Sequence, residues 1–323
     1  LNAFRDPFKI DGRELILTLS IGIAIYPDNG TNSTDLLRNA DLAMYQAKAL
    51  GRNTYSFFTQ EMNITMIRRL AIEEQMHGAI ERNEFEVYYQ PQIDLRNNCI
   101  IGAEALLRWR NPALGDITPD EFIPIAEHTG LIVPIGHFVV KQALNFLCEW
   151  QNSQQAKYIM AVNLSPRQFR ETELLGFVKN SLDEANITAN CLELEITEGV
   201  LMVGQSYIDD ALLKLHKLGV KLSMDDFGTG YSSLSYLRQY DFDVLKIDRS
   251  FIKGITENKA DLSLVKATIS MAHSLGLTVV AEGVETKEQV RLLSDLKCDF
   301  LQGYYFSKPV SDKQLIDYSL TYK

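Results

Sequence analysis

A row of polar side chains recurs along the chain: Glu104, Asn163, Glu195, Asp225 with Asp226, Lys246 with Asp248, Glu282 with Glu285, and Gln302. Each falls late in a β-prone segment or just past one. Oxygen donors dominate, with no cluster of histidine or cysteine, so the set suits a hard cation such as Mg²⁺ or Mn²⁺ better than zinc. Adjacent Asp225 and Asp226 suit two ions, one carboxylate bridging and the other binding alone. Two ions about 3.5 to 4 Å apart clamp a phosphate and lower the pKa of a shared water. Lys246 could hold that water or neutralise charge on a phosphorane-like transition state. Singly, each residue has a plainer account. Asp225-Asp-Phe-Gly228 could be a strand-ending turn, Lys246 a surface cation, Gln302-Gly303 a barrel corner, and Glu282 and Glu285 partners of arginines. Those accounts leave the joint placement on successive strand ends unexplained.

From Phe85 onward the chain alternates apolar strands with helical stretches. Strands are predicted at Glu86–Leu95, Ile100–Trp109, Tyr158–Leu164, Leu192–Thr197, Lys221–Asp225, Val244–Ile247, Thr278–Ala281 and Phe300–Tyr305. Helices are predicted at Pro134–Trp150, Glu171–Ala185, Ser206–Leu218, Ala260–Leu275 and Lys287–Leu296. Eight strands with intervening helices argue for an α/β fold, a TIM-like (β/α)8 barrel whose strand ends converge on one face. The first two strands are joined only by a short Asn97-Asn98 turn, so that pair is expected to be antiparallel. Alternation places Glu193, Glu195 and Thr197 on one side of their strand. Before the barrel, Leu15–Tyr26 and Asn53–Phe58 read as strands, Thr34–Lys48 as a helix, and Glu61–Arg82 as a long amphipathic connector.

The bulk properties bound the function. The 323 residues are 46% hydrophobic and 23% charged, an ordinary globular balance. A net charge of −10 gives no general attraction for a DNA or RNA backbone, so an anionic ligand would need local cations. Cys99, Cys148, Cys191 and Cys298 are not spaced for a thiolate metal site or a redox pair and read as reduced cytosolic thiols. No apolar run approaches the roughly 18 to 20 residues a membrane span needs. The sequence opens on Leu rather than Met and in mid-pattern, so it reads as part of a longer chain.

Across roughly Arg68 to Leu320 the sequence resembles the EAL phosphodiesterase family. The matching motifs, in order, are Tyr89-Gln-Pro91, Glu104-Ala-Leu-Leu-Arg-Trp109, Asn163-Leu-Ser-Pro166 and Glu195-Ile-Thr-Glu198. Asp225-Asp-Phe-Gly-Thr-Gly-Tyr-Ser-Ser233, Lys246-Ile-Asp248, Ala281-Glu-Gly-Val-Glu285 and Gln302-Gly-Tyr-Tyr-Phe-Ser-Lys-Pro309 complete the set. The first sixty residues resemble the end of a GGDEF diguanylate cyclase domain, through Ser20-Ile-Gly-Ile-Ala24, Ala40-Asp-Leu-Ala-Met-Tyr-Gln-Ala-Lys48 and Gly51-Arg-Asn53. The Gly-Gly-Asp-Glu-Phe loop itself is absent from these residues, so no cyclase activity is assigned to them. The implied organisation is a GGDEF remnant over 1–60, a connecting helix over 61–82 and an EAL barrel over 83–323.

The resemblance implies hydrolysis of cyclic di-GMP to linear pGpG with two Mg²⁺ or Mn²⁺ ions. Glu104, Asn163, Glu195 and Asp225 would bind the first ion, and Asp225 and Asp226 the second, with Glu282 and Gln302 ligating or orienting its waters. Lys246 would contact the nucleophilic water, making Lys246, Glu282 and Glu104 the catalytic set. Gln90, Leu106, Arg108, Asp248, Glu285 and Pro309 would hold the substrate, Arg108 through a phosphate oxygen. The segment Phe227, Gly228, Thr229 and Gly230 would be a mobile loop linking metal binding to dimerisation, anchored by Glu198. The resemblance further implies a homodimer through the barrel, an upstream sensor, a full GGDEF domain in the parent protein, and a cytoplasmic site, compatible with a parent protein tethered to the inner membrane. The alternatives are a catalytically silent cyclic di-GMP receptor, whose usual mark is a replaced ligand acid or lysine, and a phosphoesterase acting on another substrate. Glu104, Asp225, Asp226 and Lys246 all stand here, which counts against the receptor.

Overall fold

Near the start of the chain, β1 (Phe8–Ile10) and β2 (Arg13–Leu15) form an antiparallel hairpin. Strand β3 (Ile21–Ile23) then crosses through helix α1 (Ser33–Ala49) to a parallel partner, β4 (Tyr55–Phe57). Asn32 starts α1 by accepting a hydrogen bond from the Asp35 amide at 2.9 Å. The long strand expected over Leu15–Tyr26 is thus confined to short pieces. Ile16–Ser20 has no strand partner among the described residues, and Ile16 is exposed. Helix α2 (Gln60–Met76) ends this unit. The expected connector over Glu61–Arg82 stops at Met76, because Gly78 takes a left-handed φ of 74° that an α-helix cannot continue through.

The computed structural model describes residues 4, 8–10, 13–201, 206–228 and 234–322. Its chain divides into two units, Leu1–His77 and Gly78–Lys323.

The second unit is the barrel. Its strands are β5 (Phe85–Asp94), β6 (Cys99–Asn111), β7 (Gly115–Ile117), β8 (Ile159–Asn163), β9 (Leu192–Thr197), β10 (Lys221–Phe227), β11 (Val244–Ile247), β12 (Thr278–Ala281) and β13 (Phe300–Leu301). They run in the order β5-β13-β12-β11-β10-β9-β8-β6, and β6 pairs back with β5 to close eight strands into a ring, while β7 only folds back on the end of β6. Strand β5 is antiparallel to both its neighbours and the other barrel pairs are parallel, as the short hairpin turn predicts. Asn98 supplies the positive φ of 48° in that turn, and Asp94 accepts from the Arg96 amide at 2.7 Å. The helices are α3 (Pro119–Thr129), α4 (Ile132–Gln154), α5 (Leu174–Ala185), α6 (Glu198–Leu201), α7 (Ser206–Leu218), α8 (Leu234–Gln239), α9 (Arg249–Lys253), α10 (Lys259–Ser274), α11 (Lys287–Asp295) and α12 (Asp312–Thr321). No described helix is long and apolar enough to cross a membrane.

Alternation along the strands sorts the two faces. Leu192, Leu194 and Ile196 of β9, Met224 of β10 and Leu245 of β11 point outward into one apolar cluster with Leu144 of α4, Leu182 of α5 and Ile269 of α10. Burying each such side chain contributes about 1.5 to 3 kcal/mol. The opposite face of the same strands carries Glu193, Glu195, Ser223, Asp225 and Lys246, all buried. This barrel is therefore apolar outside its strands and polar within. Only β13 falls well short of expectation. Phe300–Leu301 pairs regularly, after which Val284 donates to the Gln302 carbonyl and Gly303 lies against Val284. A Cβ on Gly303 would fall 2.1 Å from the Val284 carbonyl oxygen, so only glycine fits that approach.

Candidate active site

Four strands deliver carboxylates to one point inside the barrel. Glu104 comes from β6, Glu195 from β9, Asp225 from β10, and Glu282 from the residue after β12. Lys246 of β11 stands where they meet. Its Nζ lies 2.6 Å from Glu195 Oε1, 2.6 Å from Glu282 Oε1, and 3.6 Å from both Glu104 Oε2 and Asp225 Oδ1. Strand register explains the meeting: Glu104 pairs with Ala161, Asn163 with Glu195, and Thr197 with Asp225, so successive strands offer their ends at similar heights.

Amides fix the glutamate that the ammonium does not reach closely. Asn163 Nδ2 donates to Glu104 Oε1 at 2.8 Å, and Gln302 Nε2 donates to Glu104 Oε2 at 2.5 Å. Gln302 Nε2 also donates to Gln90 Oε1 at 3.2 Å, and Gln92 Nε2 donates to Gln302 Oε1 at 3.0 Å. Gln90 in turn donates to the Ser307 carbonyl at 3.0 Å. The chain from Gln92 to Asn163 thus holds Glu104 by both oxygens.

Burial and crowding shift the charges in opposite directions. Burial works against the Glu104 carboxylate, but Lys246 and the amide hydrogen bonds outweigh it and hold its pKa below the usual range. Glu195 is pushed well above that range by burial and by Glu104, against the pull of Lys246. Burial, with Asp225 and Glu104 nearby, lifts Glu282 to about 8 despite Lys246. Asp226 rises through burial and the neighbouring Asp225. Burial opposes the Lys246 charge, yet Asp225, Glu104, Glu195 and Glu282 together keep its pKa well above the ordinary lysine value. Among the described residues, neither Glu195 oxygen makes an aligned hydrogen bond, so its 2.6 Å contact with Lys246 is one of proximity alone. Among the described residues, no three acids, histidines or cysteines stand at ion-ligand spacing about a common point; the acids group around the ammonium instead.

A cavity of about 560 Å³ opens from this cluster. Asn163, Asp225 and Asp226 border it at one end, Leu106 and Arg108 along β6, and residues of α3 and α4 at the other. The half-buried Arg108 donates to the Leu107 carbonyl at 2.8 Å and lies 5.7 Å from the Tyr88 ring. Asp226 has a φ of 55°, a left-handed conformation uncommon for a residue with a Cβ, and its amide donates to Asp225 Oδ1 at 2.9 Å. Gly228 follows with φ 95°.

Not every expected residue joins this assembly. Asp248 accepts from the Ser250 amide at 3.0 Å and caps α9, and Glu285 is exposed where the chain enters α11. Neither lines the cavity, nor does Pro309, which precedes the Val310 bridge to Tyr89. Glu198 is buried at the start of α6, and among the described residues neither of its oxygens has a hydrogen-bond partner. Phe227 ends β10, while Thr229 and Gly230 lie outside the described residues. The sequence reading missed Gln92, Glu127, Ser165 and Gln168, the first within the amide chain and the others at the cavity.

The EAL domain sequence family matches residues 73–309. This chain belongs to the EAL family. The diguanylate cyclase GGDEF domain family matches residues 1–54. Among curated relatives, the cyclic di-GMP phosphodiesterase NbdA of Pseudomonas aeruginosa is 38% identical over 323 residues, covering 100% of this chain and 41% of the relative. The bifunctional diguanylate cyclase/cyclic di-GMP phosphodiesterase MucR of the same organism is 41% identical over 310 residues, covering 96% of this chain and 45% of the relative. The chain thus spans less than half the length of these two relatives. Among solved structures, a P. aeruginosa MucR phosphodiesterase in complex with c-di-GMP is similar at a TM-score of 0.71 and 40% identity, covering 76% of this chain and 99% of that one.

Proposed function

We propose that this EAL chain hydrolyses cyclic di-GMP to linear pGpG with the help of two Mg²⁺ or Mn²⁺ ions. The observation that carries the reading is the convergence of Glu104, Glu195, Asp225 and Glu282 on Lys246 beside a cavity of nucleotide scale. Relatives and a structural neighbour named for the same substrate support it.

The donors fit hard cations. All are oxygens, and burial together with the neighbouring acids makes Glu195 and Glu282 hold protons well above the ordinary carboxylate range. Where crowded acids retain protons, a divalent cation is the competing way to neutralise them. Glu104, Asn163, Glu195 and Asp225 would hold one ion, and Asp225 and Asp226 the other, with Glu282 and Gln302 beside the second. When bound, such ions supply a water of lowered pKa and charge neutralisation at the phosphate. Glu195 and Glu282 would exchange their contacts with Lys246 for these cations, freeing the ammonium to donate to the attacking water. Arg108 would take a phosphate oxygen with its guanidinium. Asn163 and Gln302 keep Glu104 aimed throughout. In the reaction, water oxygen bonds to phosphorus, the bond from phosphorus to the 3′-oxygen breaks, and the water's proton ends on that oxygen. In the parent protein, this barrel would act as a homodimer under an upstream sensor and a full GGDEF domain, on the cytoplasmic side.

Product analysis after incubation with cyclic di-GMP tests the reading. Accumulation of pGpG with Mg²⁺ and none in EDTA is expected. Tight binding with no pGpG under any metal would instead support a silent receptor.

A further inference from the structure

We propose that Glu127 reads the base edge of a guanine in the arm of the cavity lying between β6 and helices α3 and α4, with Ser165 setting the carboxylate in place. The inference rests on the cyclic dinucleotide reading above and extends it to the choice of base.

That arm is walled by Leu106, Ile123, Ile132 and Ile135, which offer flat apolar contact to a purine ring. The half-buried Glu127, near the end of α3, lines the same cavity. Its Oε1 accepts from Ser165 Oγ at 2.6 Å, and its backbone carbonyl, like that of His128, accepts from Arg167 Nη1. The carboxylate is therefore held in direction, and the helix end that carries it is tied to the loop after β8. Asp120 also borders the cavity, but it is exposed in the first turn of α3. The loop after β8 serves both ends of the cavity. Asn163 orients Glu104 among the acids, and two residues later Ser165 orients Glu127 in the apolar arm.

Chemistry selects the base. An ionised carboxylate only accepts, and it can take two parallel hydrogen bonds. Guanine offers two adjacent donors, its N1–H and its exocyclic 2-amino group. Adenine presents a bare N1 acceptor at the same edge, which would meet the carboxylate in repulsion. Hypoxanthine keeps N1–H and lacks the amino group. A site built to pair with both donors discriminates against a base lacking one, because a buried acceptor is left unpaired.

The test uses the full chain and two ligands, cyclic di-GMP and its hypoxanthine counterpart cyclic di-IMP. For each, Kd is measured by calorimetry in Ca²⁺ and KM by product analysis in Mg²⁺. The wild type is expected to favour cyclic di-GMP by about 10-fold or more, and Glu127→Gln, isosteric but carrying a donor, to weaken it by about 10- to 100-fold and level the preference. Ser165→Ala is expected to lose part of the preference. A Glu127→Gln protein with unchanged Kd, KM and preference, and a wild-type melting profile, would overturn the assignment to Glu127. A wild type that binds both dinucleotides with the expected preference yet makes no pGpG would sink the phosphodiesterase reading and leave the base reader standing.

Discussion

Replacing Glu282 by glutamine isolates the electrostatic load of the barrel interior. Glu282 has one oxygen 2.6 Å from Lys246 Nζ and a side chain 19% exposed. Burial, Asp225 and Glu104 lift its pKa from the ordinary 4.5 to about 8, against Lys246. An unfolded chain releases this proton near pH 4.5, whereas the folded chain keeps it. The stability linked to the proton is therefore complete below pH 4.5 and disappears as pH climbs to about 8. At about 1.4 kcal/mol per pH unit, the loss is on the order of 4 kcal/mol. Glutamine keeps the shape and cannot ionise. Glu282→Gln should thus match the wild type near pH 4.5 in EDTA and become progressively more stable than it by pH 8. For a domain of this size that amounts to about 10 °C in Tm. Thermal unfolding followed by circular dichroism between pH 4.5 and 9 reads the difference directly. Mg²⁺ added at pH 8 should raise the wild-type Tm more than the variant's, since the cation takes the place of the proton. A difference that stays flat with pH, or that falls, would refute the reasoning.

Other substitutions probe neighbouring parts of the site. Glu104→Gln and Asp225→Asn should each cut turnover of cyclic di-GMP by at least about a hundredfold with the fold intact, because ligands matter more than their supporting shell, itself worth 10- to 100-fold; near-normal turnover in saturating Mg²⁺ would discard the ligand assignment. Lys246→Met should lose turnover far more than substrate binding, and equal losses in kcat and affinity would make Lys246 a binding residue. Gln302→Leu strands Gln92 and one oxygen of Glu104, so a fall in stability of about 1 to 3 kcal/mol per orphaned group is expected in denaturant titrations. Glu84, tied to Arg82 and accepting from the Trp109 ring nitrogen at 3.0 Å and Asn111 at 2.9 Å, has its pKa held low by those bonds although burial opposes it. Its contribution is present above the ordinary carboxylate pKa and fades only as pH falls through the depressed value, so Glu84→Gln should destabilise at pH 7 and match the wild type in strong acid.

Much of the architecture was legible because the apolar patterns were unambiguous. Leu192–Thr197 alternates apolar with polar residues, Val244–Ile247 is apolar but for Lys246, and Thr278–Ala281 is a short β-prone run; their edges coincide with β9, β11 and β12. Phe300–Tyr305 misled for a tertiary reason, since the close approach of Gly303 to Val284 ends the strand early. Helix α3 carried a readable signal that went unused: Thr118, Pro119 and Glu121 form a capping box with proline in the first turn, and Gly130 closes the helix at φ 92°. The acids were visible as late-strand positions on successive strands. Gln92 and Glu127 were not, because a glutamine in a strand and a glutamate in an amphipathic helix look like solvent-facing residues until the ring closes over them. Nor does any spacing reveal that an ammonium stands between Glu195 and Glu282, which depends on the parallel order of β9, β10, β11 and β12.

A (β/α)8 barrel is ordinarily filled by layers of branched apolar side chains. Here the filling includes Gln90, Gln92, Glu104, Glu195, Lys246 and Gln302, all buried. Taking Lys246 and Glu104 out of water costs several kcal/mol for each ion before any contact offsets it. The network is also unbalanced. Lys246 brings three N–H groups and the amides a few more, against carboxylates that each need several partners. Glu104 is held by Asn163 and Gln302, whereas Glu195 and the Lys246 ammonium face each other at 2.6 Å without an aligned hydrogen bond. A local surplus of acceptors inside a closed ring cannot be relieved by rotating side chains that are already packed. It is relieved by positive charge, as a proton or as a metal ion. The same imbalance that weakens the barrel at high pH is therefore what the proposed divalent cations would offset.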